Sequence, residues 1–487
     1  MVARHADGVR ARSDSTARRP WSVLGLLCVA QFMVILDMTV VTVALPSIGR
    51  SLGFAATDLQ WVVTAYLLAT GGLTLLGGRA ADLAGGRRMF AVGLAVFTAA
   101  SAASGLAPDA TALIASRAAQ GAGAALLTPA ALAMITATYA GAQRATALSV
   151  WGALAGGGLA TGVLAGGALT TWFGWRWVFL INVPVGLAAL AALRQGATRR
   201  AARGNAPRGT GQLDLRGAVL AVAGLVGVVY AISGAPRYGW GSARTLLTLA
   251  LGAVLLGAFV LAERHARDPL LPPGTLRSRT LTSGVLVMFA ATGLLVGQQL
   301  LTSLFLQDLT GASPIRAGME FLPLVVAVVL GAGLASHLAG RAGTRVLIAV
   351  GLALLAASAL LLSRATADGY LAVLIPGLVL GGLGSGLAFP AASMTALSTV
   401  REGTAGLASG LVTTGHEVGA GLGAAIFPTL ASAAAATAVA APGGASFTGG
   451  YQHALTVAAI AAAVIAVIAA AVLPSARPAP GTKVGFH

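Results

Sequence analysis

Fourteen apolar runs dominate this chain, each about as long as the 20 residues a helix needs to cross a ~30 Å hydrocarbon core. They fall near 21–45, 58–78, 89–107, 112–138, 148–170, 175–195, 215–234, 244–263, 280–308, 316–337, 345–362, 369–389, 403–428 and 453–473. Composition agrees: 57% of the 487 residues are hydrophobic, 9% are charged, and the mean hydropathy is +0.85. These values exclude an ordinary soluble domain and predict an all-α polytopic membrane protein. The 66 glycines suit helices that pack through small residues.

A net charge of +17 suggests a polyanionic partner, but its placement points elsewhere. With the N-terminus inside, 24 of the 31 Lys and Arg fall in segments expected in the cytoplasm, six fall outside, and Arg117 lies in a span. That is the positive-inside bias, so it sets orientation and implies no nucleic-acid partner. An even number of spans then returns the C-terminus to the cytoplasm. Arg79, Arg87 and Arg88 follow span 2; Arg199, Arg200 and Arg203 follow span 6; Arg264, Arg267, Arg277 and Arg279 follow span 8. The expected outer loop 430–452 carries no charge. The basic N-terminal segment leads into an apolar run too long for a secretory signal, so a retained first span is expected. Cys28 is the single cysteine and allows no intramolecular disulfide. Lys483 is the single lysine, which removes a phosphate-binding G-x-x-x-x-G-K-[ST] loop and with it ATP hydrolysis by that route.

A loop repeats. GRAADLAGGRR (78–88) follows span 2 and SHLAGRAGTR (336–345) follows span 10, so that Gly85 falls on Gly343 and Arg87 on Arg345. Duplicated halves are expected: a cytoplasmic segment 1–20, a six-helix bundle 21–195, loops and an inserted helix pair 196–279, a second bundle 280–473, and a cytoplasmic tail 474–487.

The most costly residue is Arg117 in LIASRAAQGAGAA (113–125), with no other charge between Asp109 and Arg144. A cation mid-span costs at least ~2.5–3.5 kcal/mol on insertion scales, so it is expected to face a partner or a wet cavity rather than lipid. Snorkelling to the interface is the competing explanation. Gln120 and Gly121 share its helix face. Three acids lie in spans, Asp37, Glu320 and Glu417, with Gln298, Gln299 and His416 as nearby polar candidates. Intramembrane acids of this kind are candidates for proton coupling or for reading substrate charge, against the alternative of a buried hydrogen bond between helices. Asp37 is the expected partner of Arg117. In span 5, Gly158, Gly162 and Gly166 recur every four residues as a close-packing face. Gly78, Asp82, Gly85, Arg87 and Arg88 form a tight cytoplasmic turn able to act as a gate, or simply to set topology. No metal-ligand cluster and no nucleophile motif is present, which argues against a membrane-embedded enzyme built on His416 and Glu417.

These segments together resemble the major facilitator superfamily, specifically its fourteen-span drug:proton antiporters, over nearly the whole chain. LDMTVVTVALP (36–46) is similar to the first-span motif, with Thr42 where asparagine is usual. GRAADLAGGRR resembles the loop 2–3 motif, with Leu83 where arginine is common. LIASRAAQGAGAA matches the fourth-span motif and carries over Arg117, Gln120 and Gly121. GVLAGG (162–167), ending in Gly166 and Gly167, has the antiporter-motif spacing with Val163 in place of proline. WRWVFLINVPVG (175–186) is the most specific match, and FLQDLTGASPIRAGMEFLP (305–323) is similar to the second-half signature, with Glu320 an unusual acid. His416 and Glu417 stand where arginine and glutamine are commoner. The resemblance implies two six-helix bundles plus two linker helices, rocking about a central cavity. It implies export of amphipathic drugs or antibiotics, driven by a proton gradient without a cofactor, from a monomer in the cytoplasmic membrane. Asp37, Arg117, Glu417, His416 and Glu320 would serve proton coupling or substrate charge, Gln120, Gln298 and Gln299 the cavity, and the loop 2–3 residues the gate. A proton-linked transporter of one specific metabolite, and a non-transporting receptor, remain open.

Overall fold

In a computed structural model of the chain, residues 3–55, 58–139, 141–194, 213–266, 269–272, 274–366, 369–399, 405–439 and 447–474 are described. The basic loop 195–212, with Arg199, Arg200 and Arg203, lies outside the described residues, as do Arg267 and the tail beyond 474.

Among the described residues, fourteen helices are long and apolar enough to cross a membrane. They are α1 (Ala3–Leu52, its apolar part Trp21–Leu52), α2 (Trp61–Ala84), α3 (Gly86–Gly105), α4 (Ala110–Thr138), α5 (Gly141–Trp172) and α6 (Trp177–Arg194). There follow α7 (Leu215–Tyr238), α8 (Ala243–His265), α9 (Arg279–Leu309), α10 (Pro314–Ala342), α11 (Thr344–Leu362), α12 (Leu371–Leu397), α13 (Ala405–Val439) and α14 (Phe447–Val472). Helices satisfy every backbone group internally, which is what a solvent without water demands. Their ends carry ordinary caps: Asp109 accepts from the Ala112 N–H before α4, Ser278 from Leu281 before α9, and Ser313 precedes Pro314 at the start of α10.

Two boundaries differ from the sequence expectation. The segment 430–452 is helical at both ends, because its alanine-rich stretch continues α13 to Val439 and α14 begins at Phe447. Span 5 starts at Gly141 rather than near 148, since no proline or cap interrupts the run behind Tyr139.

The same pairing scheme occurs twice. In α1–α6, α1 packs on α5, α2 on α4, α3 on α4 and α3 on α6; in α9–α14, α9 packs on α13, α10 on α12, α11 on α12 and α11 on α14. The halves meet through two equivalent pairs, α2 with α13 and α5 with α10, and the α7–α8 hairpin leans on the first of these. Glycine seams repeat as well. Gly158, Gly162 and Gly166 admit Ile35, Thr39 and Val40 of α1, while Gly415, Gly419 and Gly423 admit Val285, Phe289 and Gly293 of α9. At Gly166, Gly419 and Gly423 the neighbour is backbone, so a side chain there would force the helices apart.

The matched loops are also structural equivalents. Gly85 and Gly343 end α2 and α10 with φ of 89° and 78°, a conformation that favours glycine. Arg87 Nη2 donates to the Leu193 carbonyl at 2.7 Å, at the end of α6. Arg345 Nη2 donates to the Ala471 carbonyl at 3.0 Å, at the end of α14. Each arginine caps the last helix of its own half, where exposed carbonyls and the helix dipole favour a cation.

We term the side where α1 begins the near face and the other the far face. At the far face the halves are tied together. Arg50 pairs with Asp308 at 2.7 Å, Ser303 donates to the Thr42 carbonyl at 3.0 Å, and Gln307 donates to the Val43 carbonyl at 2.8 Å. Gly167 meets the Ile315 backbone, and Gly318 meets the Val163 carbonyl.

Candidate functional site

Arg117 does not snorkel. It is 1% exposed, and its Nη1 donates to Asp37 Oδ2 at 2.6 Å, with Asp37 fully buried. The same nitrogen donates to Gln120 Oε1 at 2.7 Å, and Nε donates to the Val62 carbonyl at 3.0 Å. The guanidinium lies 4.4 Å from the Tyr66 ring centroid and 5.5 Å from that of Phe179, a geometry in which aromatic faces stabilise a desolvated cation. Asp37 Oδ1 accepts from Gln120 Nε2 at 2.8 Å and from Asn182 Nδ2 at 3.0 Å. Ser101 closes the set: Gln120 and Asn182 both donate to its hydroxyl, and it donates to the Phe179 carbonyl at 2.9 Å. One ion pair therefore joins α1, α2, α3, α4 and α6. Breaking such a pair from one side leaves an uncompensated buried charge, at a cost of about 3–5 kcal/mol.

The structure thus brings together Asp37, Arg117 and Gln120, and adds Asn182 and Ser101, to which the sequence assigned no role. Asn182 lies inside WRWVFLINVPVG, so the signal was a polar residue in an otherwise apolar signature. The expectation that Gln120 lines the cavity is corrected: it is fully buried within the first half, turned to Asp37. Gln298 is likewise buried within the second half, donating to the Leu355 carbonyl at 3.4 Å and accepting from Ser358 at 3.2 Å. Gln299, next to it on α9, is partly exposed.

Glu417 shares no hydrogen bond with this network among the described residues, though Tyr66, which packs on Arg117, lies within electrostatic reach of both Asp37 and Glu417. It sits on α13 with its Cβ against Gly71 of α2, at the seam between the halves. Its Oε1 is 3.5 Å from His416 Nδ1, and its Oε2 is buried with no hydrogen-bond partner. The His416 ring meets Phe389 of α12 edge-on at 5.9 Å. Glu320, at the break in α10, is compensated at one oxygen: Arg316 donates to its Oε1 at 3.0 Å and Tyr370 at 2.9 Å, while its Oε2 is buried with no hydrogen-bond partner. In the loop 2–3 turn, Asp82 and Arg88 are exposed, Gly78 opens toward Pro129, and Arg87 holds the end of α6. The four glycines of α5 divide: Gly158, Gly162 and Gly166 face α1, and Gly167 faces the other half.

Chemically, the arrangement offers a sealed ion pair inside the first bundle and, at the α2–α13 seam, the Glu417 carboxyl with an unsatisfied oxygen. Residues 27–424 match the profile of the Major Facilitator Superfamily. The chain is 42% identical to the puromycin resistance protein of Streptomyces alboniger over 94% of this chain and 90% of that one. It is 41% identical to the cephamycin export protein of Amycolatopsis lactamdurans over 86% of each chain, and 34% identical to the lincomycin resistance protein of Streptomyces lincolnensis over 88% of each. Among solved structures, an auto-inhibited peptide transporter of the POT family superposes with a TM-score of 0.69 at 15% identity, covering 96% of this chain and 100% of that one, a likeness of fold alone.

Proposed function

We propose that this chain, which belongs to the major facilitator superfamily, exports amphipathic drugs or antibiotics across the cytoplasmic membrane in exchange for protons. The observation that carries the reading is its likeness, over nearly its full length, to relatives named for antibiotic resistance and export. Those relatives are each named for one antibiotic, which favours a narrow substrate range and keeps a dedicated metabolite exporter as the second reading.

The near face is the cytoplasmic one in this reading, so the tied far face corresponds to a state closed to the outside. The two halves rock about the α2–α13 and α5–α10 seams, while each half stays rigid through its own glycine seam and its arginine cap. Glu417, with an oxygen free to take a proton, is the exchangeable acid. Asp37, enclosed by three donors, holds the first half together and is reached by protons only when that network opens. One proton falling through ~100 mV gains about 2.3 kcal/mol, and a pH unit adds roughly 1.4; together these support a gradient of roughly several hundred-fold for a neutral solute. No cofactor enters the reading. The chain acts as a monomer and carries out no covalent chemistry.

The test is efflux of puromycin, a β-lactam and a lincosamide from a pump-deficient host, followed by flux in everted vesicles under an imposed pH gradient. Gradient-dependent flux of at least one compound is expected, together with loss of coupling in Glu417→Gln. Flux that persists after both the pH and voltage gradients are collapsed would refute proton coupling.

A further inference from the structure

A pair of acids lies outside the Asp37 network, at the near-face base of the α7–α8 hairpin. Asp214 caps α7: its Oδ1 accepts from the Gly217 N–H at 2.8 Å, while its Oδ2 is buried with no hydrogen-bond partner. Glu263, in the last turn of α8, is 4% exposed. Its Oε2 accepts from the Leu271 N–H at 2.7 Å, and its Oε1 is buried with no partner. The two orphan oxygens converge on one point. A Cβ placed on Gly217 would lie 2.5 Å from Asp214 Oδ2 and 2.8 Å from Glu263 Oε1, so only glycine leaves room for both. Each carboxyl thus spends one oxygen on a backbone N–H and turns the other toward its counterpart.

Two facing acceptor oxygens out of water repel unless something positive lies between them. Among the described residues, the groups acting most on Glu263 are the Asp214 carboxyl and the backbone N–H groups of Leu270 and Leu271, with no cation among them. The neighbouring basic residues Arg216, Arg264 and Arg277 are exposed, and His265 is exposed with its Nδ1 on the Leu261 carbonyl of its own helix. A proton is the smallest species that satisfies both oxygens, turning two acceptors into one donor and one acceptor.

We propose that Asp214 and Glu263 share one proton and so form a latch that joins the start of α7, the end of α8 and the connector at Leu271 leading into the second half. The hairpin it fastens presses Val222 of α7 against Gly72 of α2, beside the α2–α13 seam. While the proton is held, the base of the hairpin is fixed to the chain entering α9. When it is lost, two adjacent carboxylates push the base apart.

The sign follows from the geometry: the latch exists only while one proton bridges the two oxygens, so it stabilises at lower pH and its contribution fades as pH rises. The experiment is thermal unfolding of the full-length protein in lipid nanodiscs between about pH 5 and about pH 9, a window set to span titration of a carboxyl pair. Glu263→Gln donates an amide N–H to Asp214 Oδ2 without titrating, and Asp214→Asn keeps the cap. Wild type should lose Tm toward high pH, and each variant should lose less. The double variant should add nothing further. An infrared difference spectrum across the same range should show a protonated-carboxyl band that Glu263→Gln removes. Identical pH profiles in wild type and both variants would overturn the proposal, as would restoration of the high-pH Tm by sodium or calcium ions, which would put a metal cation in the proton's place.

Discussion

Arg117 shows how much one residue can carry in a medium without water. Its charge is matched by Asp37, its Nε by a backbone carbonyl and its face by Tyr66, so the site is organised to keep one guanidinium in place. Arg117→Ala leaves Asp37 buried with no cation and should lower folded yield and Tm, consistent with a penalty of about 3–5 kcal/mol. Arg117→Lys keeps the charge but not the fork. It should fold better than alanine and still transport poorly, because a point charge cannot reach Asp37, Gln120 and the Val62 carbonyl together. Fluorescence-detected gel filtration against temperature, with flux on the surviving fraction, separates the two. Because Asp37 faces protein on all sides in this state, Asp37→Asn should reduce flux of cationic and neutral substrates alike; selective loss of cationic ones would show that substrate touches it. The sequence made Arg117, Gln120 and Asp37 visible, since charges in apolar runs stand out. Asn182 and Ser101 stayed hidden because they reach Asp37 and each other from helices that only the fold brings together, with Asn182 and Asp37 145 residues apart.

At the scale of elements, the duplicated architecture was legible in the loop repeat, while its meaning was not. The pattern Gly-x-Arg at 85–87 and 343–345 reads as a gate from the first loop alone. In three dimensions both arginines fasten the final helix of their own half. Arg87→Ala and Arg345→Ala should therefore produce the same phenotype in different halves: faster hydrogen exchange at the last turn of α6 in one and of α14 in the other, with transport reduced rather than abolished. A gating role confined to Arg87 would instead alter conformational balance and leave α6 protected. The polar cores of the two halves diverge more than their packing. Ser101 in α3 serves a charged set, while Ser358 in α11 serves only Gln298 and the Gly377 carbonyl. The second half thus repeats the geometry without a buried ion pair at the equivalent place: its acids stand at the α10 break, where Glu320 pairs with Arg316, and at the α2–α13 seam, where Glu417 keeps an unsatisfied oxygen.

For the whole molecule, the contacts that differ between states must be weak, because a transporter has to leave each state readily. The far-face closure has that character. Arg50 and Asp308 pair at 2.7 Å with side chains 58% and 43% exposed, and an exposed pair is worth about 0.2–1 kcal/mol. Gly167 adds a close approach in which a Cβ would come within 2.6 Å of the Ile315 backbone. The two features make separable predictions. Arg50→Asp removes the pair and places two acids at the closure, so it should shift the population toward far-face opening by about fivefold or somewhat more, with high salt reducing the shift. Adding Asp308→Arg should restore the pair and the population. Gly167→Leu acts by volume, so its shift should be larger and independent of salt. Distances between spin labels on the far ends of α5 and α10, introduced after replacing buried Cys28, report both. If Arg50→Asp and Gly167→Leu leave that distance unchanged, the far face is not the element that opens, and rocking about the α5–α10 seam fails as the transport motion.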